Sequence, residues 1–312
     1  MQPITEHTLS GFRALLNGFS QIFLQANPRC GLLVLLALCT GAPDLLGGAL
    51  LGGLCSMLTA QRRGYPAADI SQGLYGYNGI LLGILITSQF NWSPLNPLLI
   101  MFSAGASSLL LAPWMARMRK RQWLPAFTCP FVLLGWLVLQ LAGPLQLEAT
   151  ANAADLTHQL NWPTALSAVA RGLGQVIFID RPLAGICLLL GLLIADRRAA
   201  LWALIGTSAG LAFALLQGWE QHSALAGLFG YNAVLTAIAV SQVNRGACLP
   251  VIGIVLALLL QPGFSSLGLP ALTMPFILAC WLLKASQRLL KQSANDCAPL
   301  NKPGAQQGRH SG

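Results

Sequence analysis

Gly73-Leu74-Tyr75-Gly76-Tyr77-Asn78 recurs, with one aromatic exchanged, as Gly227-Leu228-Phe229-Gly230-Tyr231-Asn232. Two further stretches around this one are doubled in the same order. Gln21-Ile22-Phe23-Leu24, followed by Asn27-Pro28 and Gly31, returns as Gln175-Val176-Ile177-Phe178, followed by Arg181-Pro182 and Gly185. Leu124-Pro125-Ala126-Phe127-Thr128-Cys129-Pro130-Phe131 returns as Leu269-Pro270-Ala271-Leu272-Thr273-Met274-Pro275-Phe276. The first two pairs are offset by 154 residues and the third by 145, so the chain is a duplication with one internal shift. In a membrane protein such a duplication builds a pathway at the interface between its repeats.

Composition places the chain in a membrane. Hydrophobic residues make up 55% of the 312 residues and charged ones 9%, with a mean hydropathy of +0.63. Soluble domains carry about 25% charged residues. The apolar runs are Leu/Ala/Gly-rich without two-residue alternation, which predicts helices. A crossing takes about 20 such residues, and ten spans are expected at 14–39, 43–60, 73–90, 96–116, 124–143, 164–194, 199–217, 226–243, 248–262 and 269–286. The sixth run is too long for one straight crossing. With the N-terminus inside, the inner segments hold Arg62, Arg63, Arg117, Arg119, Lys120, Arg121, Arg197, Arg198 and Arg245, while the outer loops hold only Glu148, Asp155 and Glu220. This positive-inside split accounts for the net charge of +9 as topology and disfavours a nucleic-acid surface.

Five spans per half, an odd number, imply that the second repeat enters the membrane from the opposite side. The expected fold is therefore an all-α polytopic membrane protein of two inverted-topology repeats, 1–150 and 151–286, with the pathway between them. Residues 144–163 form an external linker, and 287–312, rich in Ser, Asn, Pro and Gly, read as a disordered cytoplasmic tail. The first apolar stretch runs too long for a signal peptide, follows Glu6 and carries a doubled motif, so cleavage is not expected.

The pathway is nearly free of charge. Asp180, beside Arg181, is the one acidic residue placed well within a span, and its first-half counterpart is Ala26, so a structural ion pair is expected there. Eight cysteines without a CxxC pair and four histidines in tails or loops offer no metal site and no nucleophilic triad. Neither a cofactor nor an enzyme is implied. The doubled motifs instead supply amides and hydroxyls, Gln21, Gln175, Thr128 and Thr273, which suit a neutral hydrogen-bonding solute. Structural roles compete for each. The threonines lie near prolines and could satisfy carbonyls freed at a kink, the tyrosines could be interfacial aromatics, and the glutamines could join helices. Asn78 and Asn232 read as structural.

At these motifs the chain resembles the urea transporter (urea channel) family, over about residues 10–285. The resemblance implies two inverted five-helix halves, each with a half-spanning pore helix, in a homotrimer whose protomers each hold a pore in a bacterial cytoplasmic membrane. It implies passive, selective passage of urea. Urea is flat and neutral, with four N–H donors and one carbonyl acceptor, so a dehydrating pore must offer acceptors in the molecular plane and apolar groups against its faces. By motif position the acceptor ladder is Gln21, Thr128, Gln175 and Thr273. The flat slots are Leu24, Tyr77 and Leu81 in one half and Phe178, Tyr231 and Leu235 in the other. The pattern departs from the family twice: some members carry Glu at position 175, and an aromatic is often found at position 24. Other readings are a channel for ammonia, formamide or water, and an ion-coupled secondary transporter.

Overall fold

The computed structural model of the chain describes residues 4–121, 123–150 and 160–297. Among them there is no strand, only an isolated bridge between Phe90 and Ala149. The first half runs α1 (Ile4–Gln21), α2 (Pro28–Gly41), α3 (Leu46–Arg62), α4 (Ala67–Ser71), α5 (Tyr77–Gln89), α6 (Leu95–Arg121) and α7 (Cys129–Leu141). The second half repeats that order as α8 (Trp162–Gly174), α9 (Pro182–Ala195), α10 (Arg197–Leu216), α11 (Gln221–Leu225), α12 (Tyr231–Val243), α13 (Cys248–Ser266) and α14 (Met274–Cys297). Helices α2, α4 and α5 return as α9, α11 and α12 at the same offset as the motifs. The internal shift is explained by α6, which has 27 residues where α13 has 19, and by the connection before it, 90–94 against 244–247.

The expected first span, 14–39, is two helices. α1 stops at Gln21, Leu24 turns to φ 59°, and Asn27 caps α2 by accepting from the Arg29 and Cys30 backbone N–H groups. Pro28 lacks an N–H and its ring would clash with a preceding helical turn, so the helix has to restart there. The overlong sixth run breaks in the same way. After a 3-10 turn at Gln175–Ile177, Phe178 adopts φ 60°, and α9 leaves at 75° to the segment before it. Asp180 lies in this break and pairs with Arg171 at 3.3 Å rather than with the adjacent Arg181.

One other boundary differs from expectation. α14 continues to Cys297, beyond the expected tail boundary at 287, because Lys284, Ala285, Gln287, Arg288, Leu289 and Leu290 are all strong helix formers. Positions 298–312, and 151–159 of the linker with Asp155 and His158, lie outside the described residues.

Four helices are long and apolar enough to cross a membrane: Pro43–Arg62, Leu95–Arg121, Arg197–Leu216 and Cys248–Ser266; the bent pair Trp162–Ile177 with Pro182–Ala195 is a fifth candidate. Leu32, Leu36, Leu190 and Leu193 are exposed on helix flanks, as a lipid solvent requires. α5 and α12 are different. Each has 13 residues, about 20 Å of axis against a hydrocarbon core of about 30 Å. Tyr77–Ile86 and Asn232–Ser241 are buried without interruption, which places both helices inside the protein rather than against lipid.

Small residues allow that burial. α3 packs on α5 with Gly52 against the Gly79 carbonyl, and α10 packs on α12 with Gly206 against Ala233. In lipid, close packing and hydrogen bonds hold helices together, because burial from water contributes little. Across the halves α2 packs on α9 and α7 touches α14. Phe19, Phe23, Ile80 and Phe131 share one buried cluster with Phe276 and Leu235, so the repeats form a single core.

Candidate solute pathway

Thr128 and Thr273 immediately precede α7 and α14, and their hydroxyls meet at 2.7 Å in the buried centre. Thr128 makes no side-chain capping bond to its own helix, so its hydroxyl serves the opposite half and not a kink carbonyl. Two indoles brace this junction crosswise. Trp136 Nε1 donates to the Pro270 carbonyl and Trp281 Nε1 to the Pro125 carbonyl, each at 2.8 Å. Two helix N-termini, each equivalent to about half a positive charge, thus converge where the halves meet and disfavour a cation there.

A cavity lies beside each threonine segment. The first, about 230 Å³, is lined by Gln21, Leu24, Tyr77, Met115, Pro125 and Phe127. The second, about 170 Å³, is lined by Gln175, Phe178, Tyr231, Pro270, Leu272 and Thr273. Five of these positions correspond through the repeat: Gln21 to Gln175, Leu24 to Phe178, Tyr77 to Tyr231, Pro125 to Pro270, and Phe127 to Leu272. A third cavity of about 330 Å³ shares Leu24, Pro125 and Phe127 with the first and extends it to Gln242, Lys284 and Gln287.

Both glutamines are mounted alike. Gln21 Nε2 donates to the Gln72 carbonyl at 3.0 Å, and Gln175 Nε2 to the Ala226 carbonyl at 2.9 Å, each just before the doubled glycine motif. A carbonyl only accepts, so each amide must present its NH₂ there and keep Oε1 as an acceptor. Gly73 and Gly227, at φ 77° and 81°, turn the chain next to those carbonyls. Leu24, Phe178, Phe127 and Leu272 all take positive φ, at 59°, 60°, 44° and 44°, in two repeat-related pairs. Non-glycine residues hold this conformation uncommonly, and such positions cluster at functional sites. Here it turns backbone at the cavity walls. Leu81 and Leu235 line neither cavity; they are 1% exposed, one helical turn beyond Tyr77 and Tyr231.

A family model described as urea transporter matches residues 12–288. The chain belongs to the urea transporter family. Curated relatives named urea transporter 1, from Ovis aries and Capra hircus, are 28% identical over 297 residues, covering 86% of this chain and 75% of each relative. The Rattus norvegicus protein of that name is 28% identical over 246 residues, covering 72% of this chain and 62% of its own length. The family comprises transporters rather than enzymes.

This urea transporter family member has one polar contact that the sequence reading passed over. Asp69 of α4 is buried and pairs with Arg119 of α6 at 2.7 Å, although its second-half counterpart is Ser223. The signal for it in the sequence is the arginine cluster at the end of α6, which also carries the positive-inside pattern. The pair ties α4 to the basic end of α6, and the α4 C-cap Gln72 holds the Gln21 amide. Arg119→Ala leaves a buried carboxylate without its countercharge. Because Arg119 is half-exposed, the expected loss is only about 1–2 kcal/mol, read as a lower thermal unfolding temperature in detergent.

The mount of Gln175 yields a further expectation. In Gln175→Glu a carboxylate faces the Ala226 carbonyl, which it cannot serve as donor. Only the protonated acid can donate to that carbonyl as the amide does. Flux through the variant therefore rises as pH falls, whereas flux through the native protein is flat. Stopped-flow efflux from liposomes between pH 5 and 8 measures this.

Proposed function

We propose that the chain is a passive, selective channel for urea, with one pathway per protomer between two inverted repeats. The observation that carries the reading is the pair of repeat-related cavities, each lined by one glutamine and one tyrosine, with Thr273 on the wall of the second and in contact with Thr128 of the other half. Urea entering from either side exchanges water for Gln21 or Gln175 Oε1 and for carbonyls of the pre-helix segments. Its faces lie against Leu24 and Tyr77, or against Phe178 and Tyr231. It then passes the threonine hydroxyls, where Leu81 and Leu235 form the waist. The groups named along this path are uncharged, and the one ionisable group on the extension of the first cavity, Lys284, is a cation, so the path suits a neutral solute and offers no carboxylate for a coupling ion.

The positive-inside charge pattern supports cytoplasmic termini, and the compact loops support residence in a bacterial inner membrane. The exposed apolar flanks are consistent with a homotrimer in lipid. The names of the mammalian relatives support urea as the solute.

Purified protein in liposomes should release urea down its gradient, measured by stopped-flow light scattering, with no uphill uptake. Formamide, ammonia and water permeabilities in the same vesicles set the selectivity. Accumulation of urea abolished by an uncoupler would replace this reading with an ion-coupled transporter.

A further inference from the structure

The doubled Tyr-Asn pair is arranged differently in the two halves. In both, the asparagine amide is held the same way round: Asn78 Oδ1 accepts the Phe131 N–H at 3.2 Å, and Asn232 Oδ1 accepts the Phe276 N–H at 3.3 Å. A backbone N–H requires an acceptor, so both Nδ2 groups point the corresponding way. In the second half Asn232 Nδ2 donates to the Leu272 carbonyl at 3.1 Å, and the Tyr231 hydroxyl, on the cavity wall beside the Asn232 amide, donates to no carbonyl among the described residues. In the first half the corresponding carbonyl, Phe127, is taken by the Tyr77 hydroxyl at 2.5 Å. Asn78 Nδ2, in a residue with no exposure, is left without a partner. One carbonyl thus has two competing donors, and the halves display the two outcomes.

Buried Asn232 is further secured by Gln261 Oε1 at 3.4 Å. No group among the described residues does this for Asn78. The exchange conserves hydrogen bonds. When the tyrosine hydroxyl leaves the carbonyl, the asparagine amide beside it takes over, and a buried donor that was orphaned becomes satisfied. The hydroxyl is then free to donate into the cavity.

We propose that Tyr77 and Tyr231 are the specificity-determining donors for the carbonyl oxygen of the solute, released for that purpose by Asn78 and Asn232. This inference rests on the urea-channel reading above. The ladder satisfies the solute's N–H groups, but an acceptor-lined path leaves its oxygen without a partner. The tyrosine hydroxyl supplies that partner, and the ring supplies the slot. Tyr231 is in the releasing state and Tyr77 in the held state, so each half passes between them as a solute moves through.

The test compares urea with thiourea, whose sulfur accepts hydrogen bonds poorly, in liposomes containing the full-length protein. Tyr231→Phe and Tyr77→Phe keep the ring and remove the donor. The expected result is a fall of about 5- to 10-fold in the urea-to-thiourea permeability ratio, the loss of one hydrogen bond to oxygen. Replacing Tyr231 with para-aminophenylalanine restores an N–H donor on the same ring and should recover the ratio. A ratio within twofold of native in both Phe variants, whether the fluxes fall together or not at all, overturns the proposal. So does a lowered ratio that para-aminophenylalanine leaves unrestored. Native protein that passes no urea would instead remove the channel reading itself.

Discussion

Thr128→Val and Thr273→Val are each expected to lower urea flux about 5- to 150-fold, the cost of roughly 1–3 kcal/mol for a passing N–H left without a partner at the barrier. Valine keeps the shape of threonine and removes only the hydroxyl. Because the two hydroxyls bond each other at 2.7 Å, the single variants also strand the remaining one. The double variant should therefore lose less than the two singles combined, the signature of residues in direct contact. Stopped-flow efflux on the folded, purified variants decides it. Native-like flux in both singles would remove the threonines from the ladder.

Gly31→Ala and Gly185→Ala are expected to have the largest effect on stability. A Cβ on Gly31 would lie on the Leu16 carbonyl oxygen, and one on Gly185 on the Ala170 carbonyl oxygen, the same contact in each repeat. These are the close approaches of α2 to α1 and of α9 to α8. The obstruction is backbone in mid-helix, so no rotamer change relieves it. The helices must separate at the base of the break that carries Gln21 or Gln175. Overpacking of this kind costs about 1–3 kcal/mol or more, and a loss of folded yield or a clear drop in unfolding temperature is the expected reading. Gly11→Ala, where an added Cβ meets nothing, is the matched control.

Much of the fold was legible in the chain. The doubled motifs located the repeats, hydropathy located the apolar segments, and the corresponding helices follow the motif offsets closely. The break at residues 22–27 was also written there, in Asn27-Pro28, an N-cap followed by a residue that must begin a helix. The apolar run continues on both sides of it, so hydropathy alone bridges the break. The Asp69–Arg119 pair was hidden for another reason: it joins residues from different helices, and a buried carboxylate looks like any other Asp in sequence.

The candidate site divides along the same line. Residue type and doubling singled out Gln21, Gln175, Thr128, Thr273, Tyr77 and Tyr231. Family membership, carried by a match over residues 12–288, gave them a solute class. The sequence by itself determined membrane residence, duplication and the uncharged character of the pathway, because composition and repeated motifs are properties of the chain order alone. The tertiary structure decided which atoms face one another: threonine on threonine across the halves, glutamine amides fixed by carbonyls, and tyrosine and asparagine competing for one acceptor. Hydrogen bonds are directional and depend on tenths of an ångström between residues up to 218 positions apart. No spacing in the chain encodes that, and so two copies of one motif settle into two different hydrogen-bond states.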